Sequence, residues 1–367
     1  MKIGILTTGI GKFGEKGVYN SQQIGLAKAL SFIAESVVVY RLVPLDRKEH
    51  IERVEGYKNI RVHLLPSKQL GINGFPDLRR LNIGLDALIC CSDTQLCFPA
   101  VYRWAMKHSV KIFAYIGVLE SHSTNRLKRG IINLLVYRNL RIYRKIHCLA
   151  KTPTVKKQLK KYGAENTTLC PVGLDMSLIN KEISSACTLT LKKKYGYQDE
   201  DKVILFVGRM IEEKKPLQMI EVFAELLNKD ENYRLLMVGK GELKSKVREE
   251  VQKRGFTSKT TMIEVMPNSE VLELYQFAHA FVNLNEQEIF GMAILEAMYY
   301  NCKVVAMRAP GPNFIIENGI SGWLVSSRQE IAEKVEEALK DEQGPHNRIM
   351  SRFTWDYTAK AIERLLD

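Results

Sequence analysis

Val203-Ile-Leu-Phe-Val-Gly208-Arg209, then Glu213-Lys-Lys-Pro216 and a helical pattern as far as Asn228, reads as strand, turn and helix in succession. Val203–Gly208 is a short unbroken apolar run, the mark of a strand covered on both faces. Gly208 ends that strand, so Arg209 emerges at its carboxyl edge. Lys214 follows five residues later, just before the helix. Two cations there, with the free amides of a helix N-terminus, make a clamp for a diphosphate. Taken alone they would serve equally well as a pair of surface cations.

The same alternation runs along the whole chain. Lys2–Leu6, Ser36–Leu42, Ile60–Leu65, Ala87–Cys91, Lys111–Tyr115, Ile146–Ala150 and Thr167–Pro171 read as strands, with helical stretches such as Asn20–Ala34 between them. A second series comprises Val203–Gly208, Tyr233–Gly239, Thr261–Val265, Ala280–Leu284, Lys303–Ala306 and Gly322–Val325. Strands alternating with helices specify parallel sheets with helices on both faces. The expectation is two doubly wound α/β domains, residues 1–175 and 190–348. Gly173–Lys194 would link them, and a closing helix, 350–367, would cross back to the first. Ligands of such sheets bind beyond the carboxyl ends of the strands, and two facing domains would put those edges across a cleft.

Charge is unevenly spread over the 367 residues. Residues 1–180 hold 28 Lys and Arg against 12 Asp and Glu; the remainder hold 26 against 29. Between Arg126 and Lys161 stand twelve basic residues and no acid. Arg138, Arg141, Arg144 and Lys145 fall there at helical spacing, interleaved with Leu134, Leu135, Tyr137, Ile142, Tyr143 and Ile146. A basic amphipathic helix of this kind suits an anionic membrane surface. A solvated helix face and a nucleic-acid contact are the competing readings, and nucleic acid is the least favoured. No apolar run reaches the roughly 18 residues of a membrane span, and Met1–Thr8 reads as a buried strand rather than a signal peptide. The seven cysteines form no CxxC pair. Reduced core thiols are expected, and no metal site.

Three further motifs carry chemistry. Gly9-Ile-Gly11-Lys-Phe-Gly14 follows the first strand and matches the dinucleotide pattern GxGxxG. Glu35 is the nearest acid for a ribose, and Arg41, at the end of the next strand, could take the extra phosphate of NADP. The alternative is a flexible glycine loop in which Gly17 brings backbone amides near a phosphate or sugar. Val238-Gly239-Lys-Gly241-Glu242 is another strand end followed by glycines, able to line a nucleotide pocket or simply to turn. The last is Glu288-Ile-Phe-Gly-Met-Ala-Ile-Leu-Glu296, with carboxylates eight positions apart. A helix starting near Gly291 leaves Glu288 on the preceding loop and sets Glu296 on its second turn. Both side chains can then line one wall at a helix N-terminus, where an anion is favoured.

The order Gly208-Arg209, Lys214, Gly239 and Gly241, Asn285-x-x-Glu288-x-Phe290-Gly291, Glu296, Gly311 and Gly322-Trp-Leu-Val325 is more specific than any one of its parts. It resembles the carboxyl half of retaining GT-B glycosyltransferases of the glycogen-synthase-like and mannosyltransferase-like group. Pro171-Val-Gly173-Leu-Asp175 and the closing Phe353-Thr-Trp355 extend the resemblance over most of the chain.

The resemblance implies a GT-B fold of two Rossmann-like domains and a donor site for a nucleotide sugar, UDP-linked, with no metal and no other cofactor. It implies that Arg209 and Lys214 hold the diphosphate, Glu288 contacts the sugar and Glu296 holds the ribose hydroxyls. Amides around Phe290, Gly291 and Met292 would assist. Gly17, Gly208 and Gly239 would line the donor pocket, and His122 resembles the family's histidine near the sugar. It further implies retention at the anomeric carbon by a front-face route, and a saccharide or polyprenyl- or lipid-linked acceptor. Synthesis of cell-surface polysaccharide or glycolipid at the cytoplasmic face of a membrane would follow. The sequence departs from the family at Pro310, where relatives commonly have glycine, and at Phe314, where many have a carboxylate. An NADP-dependent enzyme and a non-catalytic sugar-binding relative are the two rival readings.

Overall fold

The computed structural model describes residues 1–10, 22–71, 73–91, 96–119, 126–179, 185–341 and 344–366. The chain divides into two units. The first runs to Gly173 and takes back the chain from Thr354 on; the second is Leu174–Phe353.

In the first unit the strands are β1 (Lys2–Thr7), β2 (Ser36–Val43), β3 (His50–Arg53), β4 (Ile60–Pro66), β5 (Lys68–Leu70), β6 (Asn73–Phe75), β7 (Ala87–Cys91), β8 (Lys111–Ile116), β9 (His147–Ala150) and β10 (Thr167–Leu169). They form an eight-stranded sheet in the order β10-β9-β8-β7-β1-β2-β4-β3, with β5 and β6 paired as a separate hairpin. Every pairing in the sheet is parallel except that of β3 on β4. Central β1 puts Ile5 opposite Val39 on one side and Ile89 on the other, and all three are buried. Burial on both faces is why these strands are continuous apolar runs. The edge strand and hairpin were not foreseen: His50–Arg53 and Lys68–Leu70 are exposed throughout, so they lack the apolar signal by which a strand is read.

The second unit holds β11 (Lys202–Val207), β12 (Tyr233–Val238), β13 (Thr260–Ile263), β14 (Ala280–Asn283), β15 (Lys303–Met307) and β16 (Trp323–Val325). All are parallel, in the order β13-β12-β11-β14-β15-β16. The strand order reverses between β11 and β14. In such sheets that reversal opens the crevice in which ligands sit.

Two expectations need correction. Gly173–Lys194 is not simply a linker, because Ser185–Lys194 is a helix packed on the helix Asn268–Phe277. Tyr195 stacks on Phe277 at 5.4 Å and bonds Glu273 through its hydroxyl at 2.8 Å. The run of Lys192, Lys193 and Lys194 hides this from a periodicity reading, for Lys192 is buried and donates to the Asp199 carbonyl. The closing helix is also shorter than 350–367. His346–Arg352 is a separate helix of the second unit, and the final helix is Trp355–Glu363. Thr354 starts it by accepting the Tyr357 amide on its hydroxyl.

That final helix is seated by two glycines. A Cβ on Gly25 would stand 2.2 Å from Trp355 Nε1. One on Gly173 would stand 2.2 Å from the Trp355 amide nitrogen and 2.3 Å from the Thr354 carbonyl carbon. Backbone cannot swing aside as a side chain can. Gly173→Ala should therefore lower thermal stability by about 1–3 kcal/mol. An unchanged melting temperature would show that the closing segment is not held by this approach.

Candidate functional site

The carboxyl ends of β11 and β14 adjoin, since Leu205 of β11 pairs with Phe281 of β14. Gly208 and Arg209 leave β11 here, and Asn283 ends β14. The turn Glu212–Lys214 then delivers Lys214, whose stem passes 3.8 Å from the place of a Gly208 Cβ. Lys215 is in the left-handed region, φ 53°, and Pro216 opens the next helix. Strain of this kind persists where the surroundings over-determine it.

Lys214 Nζ lies 2.7 Å from Glu288 Oε2 and 3.8 Å from Glu213 Oε1. The sequence reading gave Lys214 and Glu288 separate tasks; the fold makes them an ion pair, with about a fifth of each side chain exposed. Asn285 Nδ2 donates to Glu288 Oε2 and to Glu213 Oε1, each at 3.3 Å. Asn283 Nδ2 reaches the same Glu288 oxygen at 3.5 Å. Glu288 Oε1 accepts no hydrogen bond among the described residues. Arg209 is exposed and pairs with no carboxylate among them. Asn283, Asn285 and Glu213 were not singled out as site residues. The available signal was two asparagines closing an otherwise apolar strand.

The glycines act first on packing. Gly239, at φ 150°, would put a Cβ 1.8 Å from the Gly208 carbonyl oxygen. A Cβ on Gly241 would stand 2.3 Å from the Met210 carbonyl oxygen. The turns after β11 and β12 thus run in backbone contact, tied by Met210 N to Lys240 O at 2.9 Å. Gly311 serves the loop after β15 similarly: its Cβ would meet the Phe290 carbonyl at 2.0 Å, and its amide donates to Glu288 O at 2.9 Å. This close approach requires glycine at 311, next to the family departure at Pro310.

Gly291, at φ 101°, caps the helix Met292–Tyr299, so the helix begins where the spacing placed it. The first amides of such a helix have no partner within it. The Phe290 side chain is part of the core. It meets Phe314 at 6.5 Å and Phe353 at 6.4 Å, and Phe314 meets Phe353 at 5.2 Å. Phe314 thus completes an aromatic cluster where relatives have a carboxylate, and only the backbone of Phe290 is left for a ligand. Glu296 is 7% exposed on the second turn. Burial first, and the Glu296 carboxylate second, push the buried Tyr275 hydroxyl well above the usual phenol range.

The other predicted residues fall in different places. His122, Gly11, Gly14 and Gly17 lie outside the described residues. Arg41 does not end its strand; β2 continues to Val43, and Arg41 is half-buried in register with Thr7 and Leu64. Glu35 lies at the amino edge beside the Met1 ammonium. Glu35 therefore sits away from the carboxyl edge, whereas Arg41 is level with Thr7, the last residue of β1. Cys90, Cys91, Cys97, Cys148, Cys170 and Cys302 are in no disulfide; burial pushes Cys97 to about 11 and both Cys148 and Cys170 to about 12. Among the described residues no group of His, Cys, Asp and Glu could hold a metal. A cavity of about 300 Å³ lined by Phe75, Leu96 and Arg138, and one of about 400 Å³ lined by Tyr233 and His279, both lie away from the Lys214–Glu288 cluster.

The helix Arg126–Tyr143 carries only Arg138 and Arg141 of the four predicted cations, since Arg144 and Lys145 follow its end in a turn. Arg138 donates to Leu96 O at 2.9 Å and Arg144 to Tyr162 O at 2.7 Å. Arg141 and Lys145 are exposed, with no side-chain partner among the described residues. Ile131, Leu134 and Tyr137 form an exposed apolar stripe, 54%, 70% and 57% accessible. Val136, Leu140 and Tyr143 face the core.

Residues 188–354 match the family described as glycosyl transferases group 1. That stretch lies in the second unit but for its last residue, Thr354. The alpha-monoglucosyldiacylglycerol synthase of Streptococcus pneumoniae is 23% identical over 52% of this chain and 43% of its own length. The N-acetyl-alpha-D-glucosaminyl L-malate synthase of Bacillus anthracis is 26% identical over 42% and 40%. The chain thus matches less than half the length of these relatives. Anabaena HepE, solved with UDP and glucose, superposes with a TM-score of 0.73 over 100% of this chain and 99% of its own, at 15% identity. The sucrose-phosphate synthase of Thermosynechococcus elongatus gives 0.73 over 99% and 98%, at 16% identity. The fold is GT-B.

The contact between Gly208 and Gly239 sets the shape of this edge. Gly239→Ala should cost roughly 1–3 kcal/mol, because a Cβ would collide with backbone and sit at a φ it avoids. Thermal unfolding checks this, and an unchanged midpoint would mean that the two turns can separate without loss.

Proposed function

We propose that the protein is a retaining glycosyltransferase. It moves a sugar from a nucleoside-diphosphate sugar, UDP-linked, to a saccharide or lipid-linked acceptor in glycolipid or polysaccharide synthesis. The observation that carries this is Glu288 Oε1 beside Lys214, open among the described residues, at the strand edge where Arg209 pairs with no carboxylate among them. A carboxylate with one oxygen fixed and one open suits a sugar hydroxyl, which donates to it. An ammonium has three hydrogens, so Lys214 can keep Glu288 and still meet a phosphate oxygen.

In this reading Arg209 and Lys214 face the diphosphate, with the amides at Gly291 and Met292 completing its binding. Glu296 accepts from the ribose hydroxyls. Breaking the sugar–phosphate bond leaves negative charge on the departing diphosphate, and these groups stabilise it where it develops. The leaving phosphate oxygen can take the acceptor's proton on the same face, so configuration is retained and no separate base is needed. Arg209→Ala and Glu296→Ala should each lower transfer by about a hundredfold or more, with unchanged circular dichroism. Full activity in either variant would refute the assignment.

We further propose that the protein attaches peripherally to the inner face of a membrane through the helix Arg126–Tyr143. Exposed Ile131, Leu134 and Tyr137, with free Arg141 and Lys145, support this. No helix among the described residues is long and apolar enough to cross a membrane. Leu134→Ser with Tyr137→Ser should reduce co-sedimentation with phosphatidylglycerol vesicles, and so should Arg141→Gln with Lys145→Gln. Undiminished sedimentation in both would contradict the attachment.

A further inference from the structure

We propose that Asn285 is the positioning residue of the donor site, the group that aims Glu288 at the transferred sugar. The inference rests on the donor-site reading above. It begins from an asymmetry within one carboxylate. Glu288 Oε2 takes Lys214 at 2.7 Å, Asn285 at 3.3 Å and Asn283 at 3.5 Å. Glu288 Oε1 takes nothing among the described residues. A side chain held by one oxygen only has one direction left in which to accept.

Asn285 is the member that explains the hold. It is 2% exposed, and every polar group it has is used. Its amide nitrogen has two hydrogens and two acceptors, Glu288 and Glu213. Its Oδ1 accepts the Gln287 amide at 3.0 Å, and its own backbone amide donates to Asn283 Oδ1 at 2.9 Å. A fully satisfied buried network of this kind fixes geometry. Lys214 alone could not do so, because Glu213 competes for the ammonium from 3.8 Å. By bonding both acids the amide holds Glu213 apart and leaves Lys214 to Glu288. Each of its bonds is long, so their joint direction matters more than their strength.

The consequence falls on one half of the donor. The nucleotide half is read by Arg209, Lys214 and Glu296, none of which Asn285 bonds. The sugar half is read by Glu288. Loss of the bridge should therefore weaken binding of a UDP-sugar relative to UDP, and leave UDP itself unaffected.

Asn285→Ser is the variant of choice. Its hydroxyl can still accept the Gln287 amide in an ST-turn, it adds no charge, and it is too short to bridge both acids. Calorimetric titrations with UDP, UDP-glucose, UDP-galactose and UDP-N-acetylglucosamine should show at least one sugar nucleotide binding wild type more tightly than UDP. In Asn285→Ser that advantage should shrink about tenfold, equivalent to 1.4 kcal/mol, with UDP affinity close to wild type and the circular dichroism of a folded protein. In a Glu288→Gln background Asn285→Ser should remove little more, because the two act through one carboxylate. Three outcomes overturn the inference: the advantage survives in Asn285→Ser, the same loss recurs in the Glu288→Gln background, or UDP affinity falls equally. If wild type fails to bind UDP, the donor-site reading fails first, before any variant is made, and the inference falls with it.

Discussion

The ion pair between Lys214 and Glu288 joins the turn after β11 to the loop after β14, and the rest of the site is arranged around it. Its value is geometric rather than energetic. A pair with about a fifth of each side chain exposed adds on the order of 1 kcal/mol or less, which is too little to account for the surrounding construction. That construction is extensive. Two asparagines point at one carboxylate oxygen, a lysine sits in the left-handed region beside a proline, and four loops meet backbone to backbone in two pairs, one through Gly239 and Gly241 and the other through Gly311. Such close approach leaves each loop few alternatives, and a ligand meets groups already in place.

Much of this was legible in the sequence, for reasons that differ by residue. Buried parallel strands must be apolar on both faces, so β1, β2, β11 and β12 stand out as continuous runs. Gly291 announced its helix because a left-handed cap favours glycine. The Lys214–Glu288 pair was not legible. Its partners lie 74 positions apart, and only the order of strands brings β14 beside β11. The asparagine bridge was hidden for the same reason. Exposed β3 and β5 lack an apolar signal, and the helix Ser185–Lys194 ends in lysines that masked its packed face. Phe290 was read through the amides around it; its ring belongs to the core with Phe314 and Phe353.

The first unit poses a different physical problem. Its excess of positive charge is partly consumed by structure, since Arg138 and Arg144 cap carbonyls of their own unit. What remains outward is a narrow stripe of Ile131, Leu134 and Tyr137 with two unengaged cations beyond it. A stripe that small cannot bury a chain in a membrane. In the attachment proposed above it would tether a domain weakly and reversibly, in proportion to anionic lipid.

The most direct measurement is the crystal structure of the protein grown with UDP. The account predicts density for the nucleotide at the carboxyl ends of β11 and β14, with the ribose on Glu296 and the diphosphate between Arg209, Lys214 and the Met292 amide. Density only at the amino edge of the second sheet, beside Tyr233 and His279, or only in the first unit would contradict it.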